Sequence, residues 1–504
     1  MLLLIDQARC RINRHDSLVV DRFELEIGQH WCVFGPNGAG KSLLAALIMG
    51  RRLESGGHVR YRDGFDPVRD ILLVSFEEQQ RLWRRDERLD ISEFSAAAQD
   101  RGTTVSELIR APLPAAEQDE SRFAALASDL DLAELLDQGI RFLSSGQIRR
   151  ALIARALYGQ HSPRAKLLIF DEPLEAVDRD SRAGIEATIA SHLGPGCASL
   201  HLCRRERDRF PAATHLLVMD ALRVRRQGAM DPSAWGEATR SIRRQAEVPQ
   251  LLPKPPGPAP DSDLNPGPEA KLIELRGVNA SYGELRVLRD VHWTMGASDH
   301  VLIEGPNGCG KSTLLSLIDG ENHKGYGQEV YLFGRRKGGG ETVWEIKRRF
   351  GVVSNELHNR YVKGWKVLDV VVSGFFDSVG LYDDSGAGER DHAIAWLETL
   401  GVAHFAQRHY HQISFGQQRL VLLARAMVKQ PAILILDEPC VGLDDHHRDF
   451  ILAMLDVIAA QTSTRLIYVS HVPDEKPACI NRHLRFVADG AGGYRLESRD
   501  IGSG

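Results

Sequence analysis

Short apolar runs that end abruptly in glycine-rich or acidic segments recur along this chain, in two matching series. Leu167–Phe170 (LLIF) and Ile433–Leu436 (ILIL) are each closed by Asp-Glu-Pro, the pattern of a strand buried on both faces that delivers carboxylates to its C-terminal edge. Upstream in each half, an apolar strand runs into a glycine-rich loop and then a helix-forming segment. Between these landmarks, Val105 to Tyr158 and Val367 to Lys429 carry helical periodicity. The order strand, loop, helix, helical section, buried strand predicts an α/β core with a helical insertion, built twice.

The two series share one register. The glycine-rich loops GPNGAGKS (Gly35 to Ser42) and GPNGCGKS (Gly305 to Ser312) lie 270 residues apart, and so do LSSGQ (Leu143 to Gln147) and ISFGQ (Ile413 to Gln417). The acidic strand ends repeat at 266, which places a gain of about four residues in a surface loop of the first copy near Gly159 to Ala165. Between the copies, Val248 to Lys271 is dense in proline and glycine, which deny helix and ladder hydrogen bonds. The expected organisation is therefore a first domain over residues 1–240, a linker over 241–271 and a second domain over 272–504.

Both loops match G-x-x-x-x-G-K-[ST], whose glycines let backbone N–H groups approach phosphate oxygens at a helix N-terminus. Gly35, Asn37, Gly38 and Gly40 form one cradle, and Gly305, Asn307, Gly308 and Gly310 the other. Lys41 and Lys311 then reach the β- and γ-phosphates, Ser42 and Ser312 ligate Mg²⁺, and Thr313 follows in the second copy. Asp171 and Asp437 at the strand ends suit the metal's coordination shell, while Glu172 and Glu438 are placed to orient or deprotonate an attacking water. Ser144, Gly146 and Gln147, and equally Ser414, Gly416 and Gln417, open helices in a way that suits a γ-phosphate.

These motifs, in this order and twice, resemble the ATP-binding cassette (ABC) ATPases over nearly the whole chain. The resemblance implies that ATP and Mg²⁺ are clamped between the phosphate loop of one half and the Ser-x-Gly-Gln signature of the other. One composite site would then join Lys41, Ser42, Asp171 and Glu172 to Ser414, Gly416 and Gln417, and the second would join Lys311, Ser312, Asp437 and Glu438 to Ser144, Gly146 and Gln147. Asp178 and Asp444 match the family's D-loop. Halves could pair within one chain or by exchange in a homodimer, since a linker of this length permits both.

The copies differ in their supporting residues. Tyr282 stands where the family stacks an aromatic on adenine, and His471 where it contacts the γ-phosphate; the same offsets reach Ile12 and Arg205 in the first copy. His201, inside the first copy's strand, reads as a core or edge histidine. For the family's glutamine loop, the first copy offers Glu77 or Gln79 and the second Asn355, which can still bridge metal and water. Phe415 replaces a signature glycine. The expectation is unequal turnover, faster at the Lys311 site with Glu438 and His471 as catalytic residues than at the Glu172 site.

Composition narrows the partners. With 504 residues, 43% hydrophobic and 26% charged, each half can bury its own core, and a net charge of −5 exerts no pull toward nucleic acid. Seven scattered cysteines read as reduced, mostly buried thiols without zinc spacing. No apolar run reaches eighteen residues, so a cytoplasmic protein is expected, peripheral at the inner membrane's cytoplasmic face if it serves a separate permease. Leu332 to Ser354 and Val371 to Asp384 resemble the ModF-type tandem ATPases, linked by name to molybdate transport. Arg335 to Gly340 within that stretch reads as a solvated hairpin and Trp344 as a helix-packing residue. Two function classes follow: an ATPase energising a membrane transporter, or one that remodels or regulates a cytosolic partner.

Overall fold

A computed structural model describes residues 1–12, 17–51, 58–88, 102–174, 179–242, 248–254, 270–282, 285–306, 308–361, 364–380, 385–470, 472, 475–489 and 493–501. Contacts divide the chain into two compact units, Met1–Arg244 and Gln245–Gly504.

The first unit carries strands β1 (Leu3–Arg11), β2 (Ser17–Leu25), β3 (His30–Phe34), β4 (His58–Tyr61), β5 (Ile71–Val74), β6 (Lys166–Asp171), β7 (Cys197–Cys203), β8 (His215–Asp220) and β9 (Arg223–Ala229). They form one sheet in the order β4-β1-β2-β9-β8-β3-β7-β6-β5. From β5 to β8 the neighbours are parallel, whereas β1 pairs antiparallel with β2 and β4. The period-2 alternation of strand side chains builds two cores from one strand. In β6, Leu167 and Ile169 pack with the antiparallel strands and the helix Lys41–Ile48, while Leu168 and Phe170 pack with the helical section. That section contributes Val105–Arg110, Glu120–Asp129 and Ser145–Gly159.

The second unit repeats the plan with β10 (Lys271–Tyr282), β11 (Leu285–Gly296), β12 (Val301–Glu304), β13 (Glu329–Leu332), β14 (Arg335–Arg336), β15 (Phe350–Val353), β16 (Ile433–Asp437), β17 (Arg465–Val469), β18 (Arg482–Ala488) and β19 (Tyr494–Asp500). Here the strands form two sheets, β11-β10-β13-β14 and β15-β16-β17-β12-β18-β19. Ile433 and Ile435 face one core and Leu434 and Leu436 the other, the same alternation as in β6. Its helical section contains Val367–Val372, Ala387–Thr399 and Phe415–Met427. Part of the proline-rich segment belongs to this unit: Val248 and Leu252 pack against its core, and Gln461 donates to the Gln250 carbonyl at 2.7 Å.

Three local expectations need correction or refinement. Trp344 is 59% exposed rather than packed, because the short helix Val343–Arg348 turns Ile346 inward instead. The Arg335 segment is a hairpin, reversed at Phe333 and Gly334 with φ of 50° and 77°, and its arginines are exposed. Lys337 in that segment is not solvated: its ammonium is buried against the carbonyls of Leu317 at 2.9 Å and Asn322 at 3.3 Å. The seven cysteines carry free thiols, six of them buried. Among the described residues no helix is long and apolar enough to cross a membrane.

Candidate nucleotide sites

In each unit the strand order puts the chemistry at one edge. β7 lies between β3 and β6, with Phe34 opposite Cys203 and Asp171 opposite Leu202. The phosphate loop after β3, the acidic pair ending β6 and the residues after β7 therefore share the C-terminal edge of the parallel strands, where α/β sheets bind ligands. The second unit does the same with β12, β17 and β16: Ile303 and Asp437 both pair with Val469.

The loops close through glycines in left-handed conformations, Gly40 at φ 99° and Gly310 at φ 107°, which L side chains rarely adopt. Each lysine folds back on its loop: Lys41 Nζ donates to the carbonyls of Gly35 at 2.7 Å and Pro36 at 2.9 Å, and Lys311 Nζ to those of Gly305 at 2.8 Å and Pro306 at 2.9 Å. Burial lowers the Lys311 pKa, against the upward pull of Cys309, Glu438 and Asp437. A γ-phosphate would offer this ammonium charged oxygens in place of the neutral carbonyls it bonds, adding to the pull of the two carboxylates.

Ser42 Oγ donates to Asp171 Oδ2 at 2.9 Å, so the two expected Mg²⁺ ligands already meet. Burial raises the Asp171 pKa, and Glu77 adds repulsion while Ser42, Lys41 and Arg204 oppose it. In the second unit Gly308, Gly310, Lys311, Ser312, Thr313, Asn355, Asp437 and Glu438 line one cavity of about 370 Å³, a size suited to a nucleotide's phosphates. These hard oxygen donors fit Mg²⁺, which keeps several waters and takes few protein ligands beside phosphate. Among the described residues no group of three His, Cys, Asp or Glu converges on one point.

Glu172 and Glu438 both have φ of 51°, a left-handed conformation uncommon outside glycine. Such strain at a matched pair of carboxylates points to positioning for chemistry. Their partners diverge, however. Arg204, only 9% exposed, donates to Glu172 Oε2, a contact that the sequence reading missed. The signal was present: the offset of 266 puts Ser470 at the corresponding place in the second unit.

Ser144 and Ser414 each cap a helix through a reciprocal box: Gln147 Oε1 accepts from Ser144 N–H at 2.8 Å, and Gln417 Oε1 from Ser414 N–H at 2.8 Å. Gly146 lies in the first turn of Ser145–Gly159, and Gly416 in that of Phe415–Met427. The Phe415 ring lies against Gly442, ahead of Asp444, which caps the helix Asp445–Gln461.

For the glutamine loop, strand register aligns Asn355 with Phe76 in the first copy, since Ile71 pairs with Leu167 as Phe350 does with Ile433; Glu77, one residue on, is the acid whose charge acts on Asp171. Phe76 is 53% exposed and Gln79 buried, whereas Asn355 lines the second cavity and accepts from Arg419. His201 is a core residue, stacked 4.8 Å from Phe170 and 3.8 Å from Phe210, and burial drops its pKa to about 3. Arg205 is buried as well, its N–H donating to Asp208 Oδ2 at 3.1 Å. Asn307, His471, Asp178 and the side chain of Tyr282 lie outside the described residues.

A model of the family described as ABC transporter matches residues 20–175 and 288–441. The chain belongs to this family: it is a tandem ABC ATPase. Members bind ATP, generally with Mg²⁺, and the family implies ATP hydrolysis. Relatives agree over the full length. The "ABC transporter ATP-binding protein ModF" of Escherichia coli (strain K12) is 34% identical over 517 residues, 98% of each chain. An uncharacterized ABC transporter ATP-binding protein of Schizosaccharomyces pombe is 27% identical, over 91% of this chain and 92% of that one. Among solved structures, an archaeal ribosome recycling factor, aABCE1, solved in complex with the ribosomal stalk protein aP1, superposes with a TM-score of 0.58 at 17% identity, covering 98% of this chain and 90% of that one. An RNase-L inhibitor gives 0.57 at 16% identity, over 97% and 90%. Both likenesses concern the tandem fold.

Proposed function

We propose that this chain binds two ATP–Mg²⁺ at composite interfaces between its halves, hydrolyses mainly the one on the Lys311 loop, and energises a separate membrane transporter. The observation that carries the asymmetry is the contrast between Glu438, which lines the cavity with Lys311 and Asn355, and Glu172, which is held by Arg204. Ser312 and Asp437 would hold Mg²⁺ in the second site and Ser42 and Asp171 in the first. When bound there, the ion would neutralise phosphate charge. Lys311 Nζ exchanges its loop carbonyls for phosphate oxygens, and Asn355 and Glu438 align the water, with Glu438 as acceptor of its proton. His471 and Tyr282 would contact the γ-phosphate and the adenine.

The transport role rests on the resemblance to the ModF-type ATPases, which is also the sole source of the link to molybdate. Steady-state hydrolysis by Glu438→Gln and Glu172→Gln variants tests the asymmetry. The expected outcome is a loss of turnover in the first variant well beyond that in the second; equal losses reject it. Affinity capture of the Glu438→Gln chain from membranes with ATP tests the coupling. Recovery of a multispan protein supports transport, and recovery of soluble partners alone favours a cytosolic remodelling role.

A further inference from the structure

Resting on the reading of unequal sites, we propose that Arg204 is a built-in clamp on Glu172, which makes the first site a nucleotide-retaining site despite its intact phosphate loop and acidic pair. A general base must offer a carboxylate oxygen to the attacking water, taking its proton as the water oxygen bonds to the γ-phosphorus and ADP leaves. The guanidinium occupies Oε2 of Glu172, and a neighbouring cation weakens any carboxylate as a proton acceptor.

The clamp is set by the fold. Arg204 directly follows β7, the strand between the phosphate-loop strand and β6, so its side chain needs only to reach the adjacent strand end. The loop that carries it is pinned. Cys203 Sγ donates to the Asp208 carbonyl at 3.1 Å, Arg205 N–H to Asp208 Oδ2 at 3.1 Å, and Arg182 to Asp208 Oδ1 at 3.1 Å. Burial alone would raise the Asp208 pKa, but Arg204, Arg182 and Arg205 together bring it below its ordinary value, so the carboxylate serves as anchor for all three cations. Arg204, buried like Arg205, thereby presents its guanidinium to Glu172 from the base of this turn.

At the position matching Arg204, the second unit carries a serine in place of the arginine. Ser470 stands at the equivalent position and turns into its own loop, its hydroxyl donating to the Val472 carbonyl at 3.1 Å and accepting from Val472 N–H at 3.0 Å. The two halves thus carry the same carboxylate in the same strained backbone conformation, with an arginine after the central strand in the first and a serine at the matching place in the second. Arg204 acts through Glu172 and is a positioning residue.

The test uses the full chain with Glu438→Gln, which silences the second site, and follows cleavage of radiolabelled ATP in a single turnover. Adding Arg204→Ser is expected to speed cleavage about tenfold or more, a modest part of what a general base supplies, since the first site also lacks a polar residue at Phe76. Arg204→Lys, which keeps the cation, stays slow, and Glu172→Gln added to Arg204→Ser abolishes the gain. Arg204→Gln, which retains hydrogen bonding without charge, replaces the serine variant if that chain fails to fold, with the same acceleration expected. Unchanged or slower cleavage without the arginine overturns the proposal, the slower case meaning that Arg204 serves the γ-phosphate directly. A gain that survives Glu172→Gln overturns it too. Failure of the underlying reading shows separately, as a large loss of turnover from Glu172→Gln alone in the otherwise unaltered chain.

Discussion

The imidazole of His447 fills the space beside Gly416, so that a Cβ on this glycine would stand 2.6 Å from the ring. His447 is itself held by Asp444, 2.8 Å from its Nδ1, which ties the signature helix start to the D-loop within the second unit. Gly416→Ala should therefore shift the Asp444 loop and cost about 1–3 kcal/mol through overpacking. Hydrolysis and urea unfolding measure both effects, and adding His447→Ala should restore stability. No recovery in the double variant would rule out this contact as the cause.

Ser42 and Asp171, the proposed Mg²⁺ ligands of the first loop, meet in a hydrogen bond, and burial makes Asp171 hold its proton at higher pH than an ordinary aspartate. Below that raised pKa the carboxyl is neutral and offers Mg²⁺ no charge. In a chain whose second loop is disabled by Lys311→Ala, Mg²⁺-dependent nucleotide affinity should fall with acidification, beginning above the usual 3.8 of aspartate. Asp171→Asn should weaken binding about 10–100-fold, the range for disturbed metal shells, and flatten the pH response. A fluorescent ATP analogue titrated with and without Mg²⁺ reads both.

Asp319 ends the helix after the second phosphate loop, and burial raises its pKa to about 6. The raised value means that the ionised carboxylate costs stability above pH 6, a cost that fades as pH falls toward 3.8 and vanishes below it. Asp319→Asn retains an oxygen for the Glu321 N–H, 2.9 Å away, without the charge. The variant should gain about 1–3 kcal/mol at pH 7.5 and little near pH 4. Denaturant unfolding at the two pH values checks this, and an equal gain at both would show that charge burial is not the cause.

His201 has the opposite linkage. With its folded pKa near 3 against 6.5, the unfolded chain binds the proton first, so stability contributed at neutral pH is lost as pH falls from 6.5 toward 3. His201→Phe, placed between Phe170 and Phe210, should reduce the acid sensitivity of the first unit by a few kcal/mol, about the value of a shift of several pKa units. It leaves Ser199 Oγ without its 3.1 Å partner, so some stability is lost at pH 7. Unfolding curves at pH 7.5 and 5 give the comparison; parallel losses at both would refute it.

Much of the site was legible because its determinants are local. A glycine before a lysine at a helix start, or four apolar residues before Asp-Glu, needs no distant partner to be read. Helix caps at Ser144 and Ser414 were equally visible, since the glutamine that answers each serine sits three residues later. Trp344 misled because periodicity alone cannot say which residue of a two-turn helix meets the core. Phe76 was missed because a one-residue shift of strand register changes which side chain leaves the strand end.

The sequence by itself determined the duplication, the tandem α/β class, and the identity of the phosphate, metal and base candidates, all of which follow from spacing and short-range periodicity. Tertiary structure alone decided what each carboxylate meets. Glu172 and Arg204 are 32 residues apart in sequence, and only the placement of β7 beside β6 brings their side chains together. Gly416 and His447 are likewise joined by packing that no local pattern encodes. The proposed asymmetry rests on such nonlocal contacts, because a backbone plan shared by the two halves fixes where a side chain starts while its neighbours on adjacent strands fix what it can do.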